Sequence, residues 1–395
     1  MSPPAQSSAA NVIVMLGIHP DSPEKGGISA VVDVYREAGL FSRWPIRYLG
    51  TVMSGSAARK VRVCVAALAE FSSLLVRGRM QLLHAQTSSR ASFWRKSLFI
   101  VLAFAARRPV IVHLHGSEFE QFYTNECGPL RRRYISWILN RTSRVVVLSS
   151  QWAAFVRKIA PRANVVRIFN PIGLRLSDTA KRVQKDPHGV LFLGRFGRRK
   201  GILDLLQAMT IVTRSVPNVR LRCGGDGDIA GVERRIAELG LNDCVEVLGW
   251  VSGERKQQEL ARASVYVLPS YAEGLPMGIL EAMAAGLPIV STTIGGIPDA
   301  VDEGVEGFLI RPGDVDALAE RIVRLLQDPA LRAQMALAAR ETAVARFDAD
   351  QVISQLEDLY RTLGAQPCDN GPPPLLETRP AETHGHHAIH RLVRK

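Results

Sequence analysis

Residues 189–201 read GVLFLGRFGRRKG. The run Gly189–Leu193 is apolar without interruption, which suits a strand buried on both faces of a parallel sheet. Gly194 ends it, and a helical pattern begins near Ile202. A glycine-rich turn between strand and helix exposes backbone N–H groups at the positive end of the helix. The same turn carries Arg195, Arg198, Arg199 and Lys200. Together these features suit a diphosphate. Most Arg/Lys clusters are solvated surface loops; placement at the carboxyl end of a strand favours the binding reading here.

Outward from this turn the strand–helix alternation repeats. Toward the N-terminus the pattern predicts strands over Asn11–Gly17, Pro45–Leu49, Met80–His84, Pro109–Leu114 and Ser143–Leu148. Helical spacing falls at Ile28–Gly39, 57–77, 90–107 and 129–140. Toward the C-terminus it predicts strands over Val219–Cys223, Val245–Leu248, Val265–Pro269 and Pro288–Ser291, with helices between them and from 314 onward. Alternating β and α implies α/β architecture with parallel sheets covered on both faces. The stretch Phe169–Pro187, rich in Pro, Gly and charge, interrupts the pattern and reads as a domain boundary. Two doubly wound domains would face each other across a cleft lined by strand carboxyl ends, where open α/β sheets bind ligands. The segment 348–364 is amphipathic, with Val352, Leu356, Leu359 and Leu363 on one stripe, and ends the fold. Residues 365–395, rich in Pro, Gly and His, are expected to be disordered.

A second cluster lies at Glu273-Gly-Leu-Pro-Met-Gly-Ile-Leu-Glu281, with its acids eight residues apart. Glu273 falls in the loop after the predicted strand 265–269. Glu281 lies in the next helix, which Gly286 closes. Two carboxylates in one cleft suit sugar hydroxyls or acid/base work. Asp226-Gly-Asp228 follows another strand as part of the tight loop Gly224–Asp228; a D-x-D motif can hold a metal in a nucleotide-sugar site.

In this order, GRFGRRKGILDLLQAM, GGDGD and LPSYAEGLPMGILEAMAAGLPIVSTTIGGIPDAV (268–301) resemble glycosyltransferase family 4, the retaining GT-B enzymes of bacterial cell-surface polysaccharide and exopolysaccharide assembly. The resemblance implies two Rossmann-like domains: an acceptor-binding one over 1–172 and a nucleotide-sugar-binding one over 187–347, then a terminal helix over 348–364 and a tail over 365–395. By the same resemblance Arg195 and Lys200 contact the donor diphosphate. Glu281 binds the ribose, and Glu273 sits at the transferred sugar with the backbone of Gly274, Leu275, Pro276 and Met277 close by. Gly26 and Gly27, after the first strand, touch the donor phosphate and the acceptor. His115, at the end of the strand 109–114, faces the sugar. The H-x-H of the family's third strand stands here as His84-Ala-Gln86, without its second histidine. The family's chemistry needs no cofactor and no metal, since fixed cations take the role Mg²⁺ would play. No G-x-G-x-x-G follows a strand, which removes the main support for a dinucleotide oxidoreductase.

Charge divides the chain. Residues 1–175 hold 24 Lys/Arg and 8 Asp/Glu, whereas 176–395 hold 26 and 29. Between 40 and 115 twelve cations face one acid, Glu70. Such an excess points to an anionic partner. Nucleic acid is disfavoured for want of a groove-reading motif. The stretch Phe93–Arg108 has an apolar middle and basic ends, and reads either as a core helix or as a segment dipping into an anionic bilayer. Arg131–Arg133 beside Trp137 offers a second patch. Five cysteines without C-x-x-C spacing argue against a disulfide framework. The longest apolar run, Leu98–Ala106, is nine residues, against about 20 for a membrane span. The expected location is the cytoplasm, peripheral on the inner face of the cytoplasmic membrane. Taken with this charge, the resemblance implies transfer of a hexosyl group from GDP-mannose or UDP-glucose to a lipid-linked glycan acceptor. The rival readings are a GT-B nucleotide-sugar epimerase and a catalytically silent membrane-associated subunit. Oligomeric state and any role of the His-rich tail are not legible.

Overall fold

The computed structural model describes residues 11–22, 26–174 and 177–368. Twelve strands form two six-stranded, all-parallel sheets. The first comprises β1 (Val12–Gly17), β2 (Ile46–Gly50), β3 (Met80–Thr87), β4 (Val110–Leu114), β5 (Arg144–Val147) and β6 (Val165–Arg167). The second comprises β7 (Gly189–Leu193), β8 (Arg220–Gly224), β9 (Val245–Gly249), β10 (Val265–Leu268), β11 (Ile289–Thr292) and β12 (Gly307–Ile310). The α/β, two-sheet architecture read from the alternation is the one observed.

Strand burial explains why the sequence reads as unbroken apolar runs. In β1, Val14 and Leu16 enter a core shared with the helices Ala57–Val76, Ala91–Ala105 and Pro129–Arg141. Ile13 and Met15 enter a second core on the opposite face. That second face is closed partly by Ala349–Thr362, which runs back from the second sheet onto the first. Its Val352, Ile353, Leu356 and Tyr360 are buried against Ile13, Met15, Leu82 and Trp44. The amphipathic stripe therefore serves the N-terminal sheet. Arg43 Nε adds an ion pair to Glu357 at 2.6 Å.

Both crossings between the sheets lie side by side. Ile172 N donates to Phe347 O at 2.9 Å, and Ala349 N to Ile172 O at 3.1 Å. The strand orders, β2-β1-β3-β4-β5-β6 and β12-β11-β10-β7-β8-β9, reverse direction between β1 and β3 in the first sheet and between β7 and β10 in the second. Crevices at such reversals are where doubly wound sheets take ligands.

Four expectations change. β6 and β12, of three and four residues, are too short to leave a periodic signal. β3 runs to Thr87, three residues past the expected His84, because Ala85, Gln86 and Thr87 pair with β4. The stretch Phe93–Arg108 is a core helix: Phe93, Lys96, Phe99, Ile100 and Ala103 are all buried, so the bilayer-dipping reading of that helix is set aside. The fold also continues past 364, because Ala365 is buried and Cys368 N donates to Arg43 O at 3.0 Å. The rest of the expected disordered tail, with its histidines, lies outside the described residues. No helix among the described residues is long and apolar enough to cross a membrane.

Candidate active site

The carboxyl ends of β7 and β10 carry the two sequence clusters. After β7, Phe196 is buried and strapped to the next loop: Phe196 N donates to Asp226 O at 2.6 Å, and Asp228 N to Phe196 O at 3.3 Å. Asp228 also caps the helix Ile229–Glu238 through the Gly231 amide, so its carboxylate already has a structural task. Arg198–Lys200 form one 3₁₀ turn. Gly201 follows at φ +70°, and a Cβ there would lie 2.0 Å from Pro269 O. Only glycine permits that approach, and it brings Lys200 against the loop after β10.

There Lys200 Nζ meets Glu273 Oε1 at 2.6 Å, and Ser270 Oγ donates to the same oxygen at 2.7 Å. Glu273 is 5% exposed. Behind it, Gly295 sits at φ +62°, where a Cβ would lie 1.9 Å from Glu273 O. The backbone after Glu273 is thus held from the rear by the loop 295–296, whose Gly296 N donates to Gly274 O at 2.6 Å. The Gly274 and Leu275 amides make no hydrogen bond within the described residues. Unmade backbone donors of this kind call for a ligand or water. Pro276 has no N–H, so of the backbone from Gly274 to Met277 expected near the sugar it offers no donor, and Pro276 stands at the N-cap of the helix Met277–Ala284. Glu281 lies in that helix and pairs with Lys256 Nζ at 2.6 Å.

Arg195 is exposed and has no protein partner among the described residues. Arg199 reaches across the cleft instead, donating to Ser117 Oγ at 3.2 Å and to Ala272 O at 3.4 Å.

On the opposite wall, Gly26 and Gly27 open the helix Gly27–Glu37, with no atom within 4 Å of a Cβ built on either. Pro23, Glu24 and Lys25 lie outside the described residues. His84 and Gln86 in β3 face the same side as His113 in β4 and His115 just after it. Gln86 takes the place left by the missing histidine. Its Nε2 donates to His84 Nε2 at 3.2 Å, and its Oε1 accepts from His115 Nε2 at 2.5 Å. His84 Nδ1 then donates to Tyr360 Oη at 2.7 Å, and His115 Nδ1 remains an acceptor. Burial pulls His84 down to about 3. Burial, aided by His84 and Lys96, lowers His115 in the same direction. His113 falls too, through burial first and then its two histidine neighbours. Neutral imidazoles of low basicity hold hydroxyls better than they take protons.

Gly26, Gly27, His115, Arg195, Lys200, Glu273, Gly274, Leu275, Pro276, Met277 and Glu281 all border one cleft of about 2060 Å³ between the sheets. A single small ligand needs roughly 300–1,000 Å³, so two substrates fit. Sequence reasoning missed Lys256, Gln86 as the bridge to His115, and Asn170, whose Nδ2 donates to Leu275 O at 2.9 Å. Lys256 and Asn170 sit in no motif, and the His84-Ala-Gln86 stretch showed only a missing histidine, so packing alone reveals what these three residues do.

Two family models match, "Glycosyl transferase 4-like domain" over residues 13–171 and "Glycosyl transferases group 1" over 187–328. Between them they cover most of the chain. The amylovoran biosynthesis glycosyltransferase AmsK of Erwinia amylovora is 31% identical over 214 residues, 52% of this chain and 52% of that protein. The match therefore spans about half the length of that relative. In fold, a sucrose-phosphate synthase of Thermosynechococcus elongatus superposes at a TM-score of 0.73 with 22% identity, covering 90% of this chain and 99% of the other. A HepE of Anabaena in complex with UDP and glucose gives 0.70 and 21%, covering 89% and 99%.

Proposed function

The chain belongs to the group 1 glycosyltransferases, and on that premise we propose that it moves a hexosyl group, mannose or glucose, with retention and without a metal. The donor is GDP-mannose or UDP-glucose, and the acceptor is a membrane lipid-linked oligosaccharide in polysaccharide assembly. The carrying observation is the Lys200–Glu273 pair at 2.6 Å, set where the second sheet reverses and bordered by the free Gly274 and Leu275 amides. Arg195, exposed and unpaired, meets the diphosphate first; Lys200 then turns to the leaving phosphate and releases Glu273 to the sugar. Each cation about 4 Å from a phosphate oxygen contributes on the order of 4 kcal/mol at an effective dielectric of 20, before desolvation. That charge is greatest as the nucleoside diphosphate departs, so the cations favour the transition state over the bound donor. Glu281, released from Lys256, takes the ribose hydroxyls. His115 Nδ1 accepts from a hydroxyl of the sugar, while the departing phosphate takes the acceptor proton.

Thermal-shift screening against UDP, GDP and ADP identifies the base, since a ligand of the native state alone raises stability by RT ln(1 + [L]/Kd). Radiolabelled donor is then incubated with and without membrane extract. Label passing into organic-extractable lipid supports transfer. Donor rearranged equally with or without the extract overturns it in favour of epimerisation.

A further inference from the structure

At the reversal of the first sheet, two adjacent cations border the cleft with no acid to meet them among the described residues. Lys96, in the helix Ala91–Ala105, is 1% exposed. Its ammonium donates to the Gln86 carbonyl and to Ser92 Oγ, the latter at 3.1 Å. Arg95 is half-buried, and its Nε donates to Thr51 Oγ1 at 3.2 Å and its Nη1 to Ala91 O at 3.3 Å. All four partners are neutral oxygens. Glu118, the acid bordering this part of the cleft, is held by Arg90, which also grips Glu126. Among the described residues neither Arg95 nor Lys96 forms an ion pair.

Buried cations are ordinarily paired, because desolvating an unpaired charge is costly. Burial, with Arg95 beside it, brings Lys96 down to about 7. The other lysines of the cleft, Lys200 and Lys256, do have carboxylate partners. Ser88 and Ser89 border the cleft beside the two cations. The place also has a fixed relation to the chemistry. Lys96 bonds to the backbone of Gln86, whose side chain bonds to His115. His115 O in turn lies 3.2 Å from the position of a Cβ on Gly274, next to Glu273. An anion on Lys96 is therefore linked through Gln86 and His115 to the loop that holds Glu273, on the N-terminal wall.

We propose that Arg95 and Lys96, with the Ser88 and Ser89 hydroxyls, form an anion subsite for the phosphate or diphosphate of the acceptor, the group carrying the sugar whose hydroxyl is glycosylated. The assignment rests on the glycosyl-transfer reading and names the chemistry by which the acceptor is chosen. Two sources share that chemistry: a soluble sugar phosphate and the diphosphate headgroup of a lipid carrier.

The test is calorimetric titration of inorganic pyrophosphate into protein already saturated with whichever nucleoside diphosphate stabilises it, so that the donor site is filled. The expected result is binding to the wild type, weakened at least about tenfold by Arg95→Gln and by Lys96→Met, the loss of one charge-assisted contact in each case, with nucleotide affinity unchanged. Lys96→Met preserves side-chain length and removes the buried charge; Arg95→Gln, at a half-exposed position, keeps the test intact should the first fail to fold. Farnesyl diphosphate binding at least about tenfold tighter than pyrophosphate assigns the site to a lipid carrier; glucose 1-phosphate doing so assigns it to a soluble sugar phosphate. No pyrophosphate binding to the nucleotide-saturated wild type, or equal affinity in both variants, overturns the subsite and leaves the glycosyl-transfer reading standing. If no nucleoside diphosphate binds at all, that reading fails instead, and titration of the empty wild type against Arg95→Gln still decides the subsite.

Discussion

The two walls of the cleft handle charge in opposite ways. On the C-terminal wall both partly exposed lysines have a carboxylate: Lys200 with Glu273 and Lys256 with Glu281, both at 2.6 Å. On the N-terminal wall Arg95 and Lys96 face neutral oxygens, and the titratable groups beside them, His84, His113 and His115, are kept neutral by burial. On the proposed function a paired wall exchanges partners: an arriving diphosphate takes the lysine and frees the acid for a hydroxyl. Cations with no acid partner among the described residues have nothing to release, and on the subsite proposed above their partner is an arriving anion. The difference matches the division of the sequence, whose first half carries the cationic surplus and whose second half is nearly balanced.

The sharpest break of this comparison is at Lys200. If its task is to meet charge developing on the leaving phosphate, Lys200→Ala lowers kcat on the order of 10²–10³-fold, as loss of one preorganised donor does. Donor affinity falls by less, because Glu273 loses its partner at the same time. Steady-state kinetics with the identified donor decides it. Unchanged turnover means that the Lys200–Glu273 pair is only structural.

The N-terminal wall is tested by acid. His84 titrates near 6.5 unfolded and near 3 in the fold. Below about 6.5 the unfolded chain binds protons that the folded chain refuses, so stability is complete above that pH and declines as pH falls toward 3. At pH 5 the difference is about 2 kcal/mol for this histidine, from 1.5 units at 1.36 kcal/mol each. Urea unfolding between pH 7 and pH 4.5 measures it. His84→Gln, which keeps a neutral polar group against Tyr360, removes that part of the decline. Parallel pH profiles for variant and wild type place the neutral wall's acid sensitivity elsewhere.

How much of this was legible depended on whether a residue's role is local. The turn 194–201 and the loop 273–281 announce themselves because strand, glycine and charge occur together in sequence, and their neighbourhood follows from the order of β7 and β10. Gln86 carried no signal of its own; it reads as a lost histidine until the register of β3 against β4 sets it between His84 and His115. Lys256 is one polar residue in a polar helix until that helix packs beside Glu281. The helix Ala91–Ala105 had two readings in sequence because an apolar run with basic ends suits both a core and a bilayer, and only its burial separates them. The terminal helix showed its stripe clearly, but not which sheet the stripe would serve.

The smallest expected effect concerns the outer surface of the basic half. With Ala91–Ala105 in the core, one exposed amphipathic face belongs to Ala57–Val76, where Val61 is 61% and Val65 58% exposed and Arg59, Lys60 and Arg62 are exposed beside them. Its acid, Glu70, is held by Arg47 at 2.5 Å, so the outer turns present cations alone. Basic residues near an anionic bilayer contribute about 1 kcal/mol each. Arg59→Glu with Arg62→Glu should therefore weaken sedimentation with phosphatidylglycerol vesicles by roughly tenfold or more, and flatten its dependence on salt, since fewer screened contacts remain. Nucleotide binding on the C-terminal wall should not change, because those residues lie outside the cleft lining. Equal sedimentation of variant and wild type would remove this helix from the membrane reading, and the unpaired cations inside the cleft would then be the part of the basic surplus with an assigned anion.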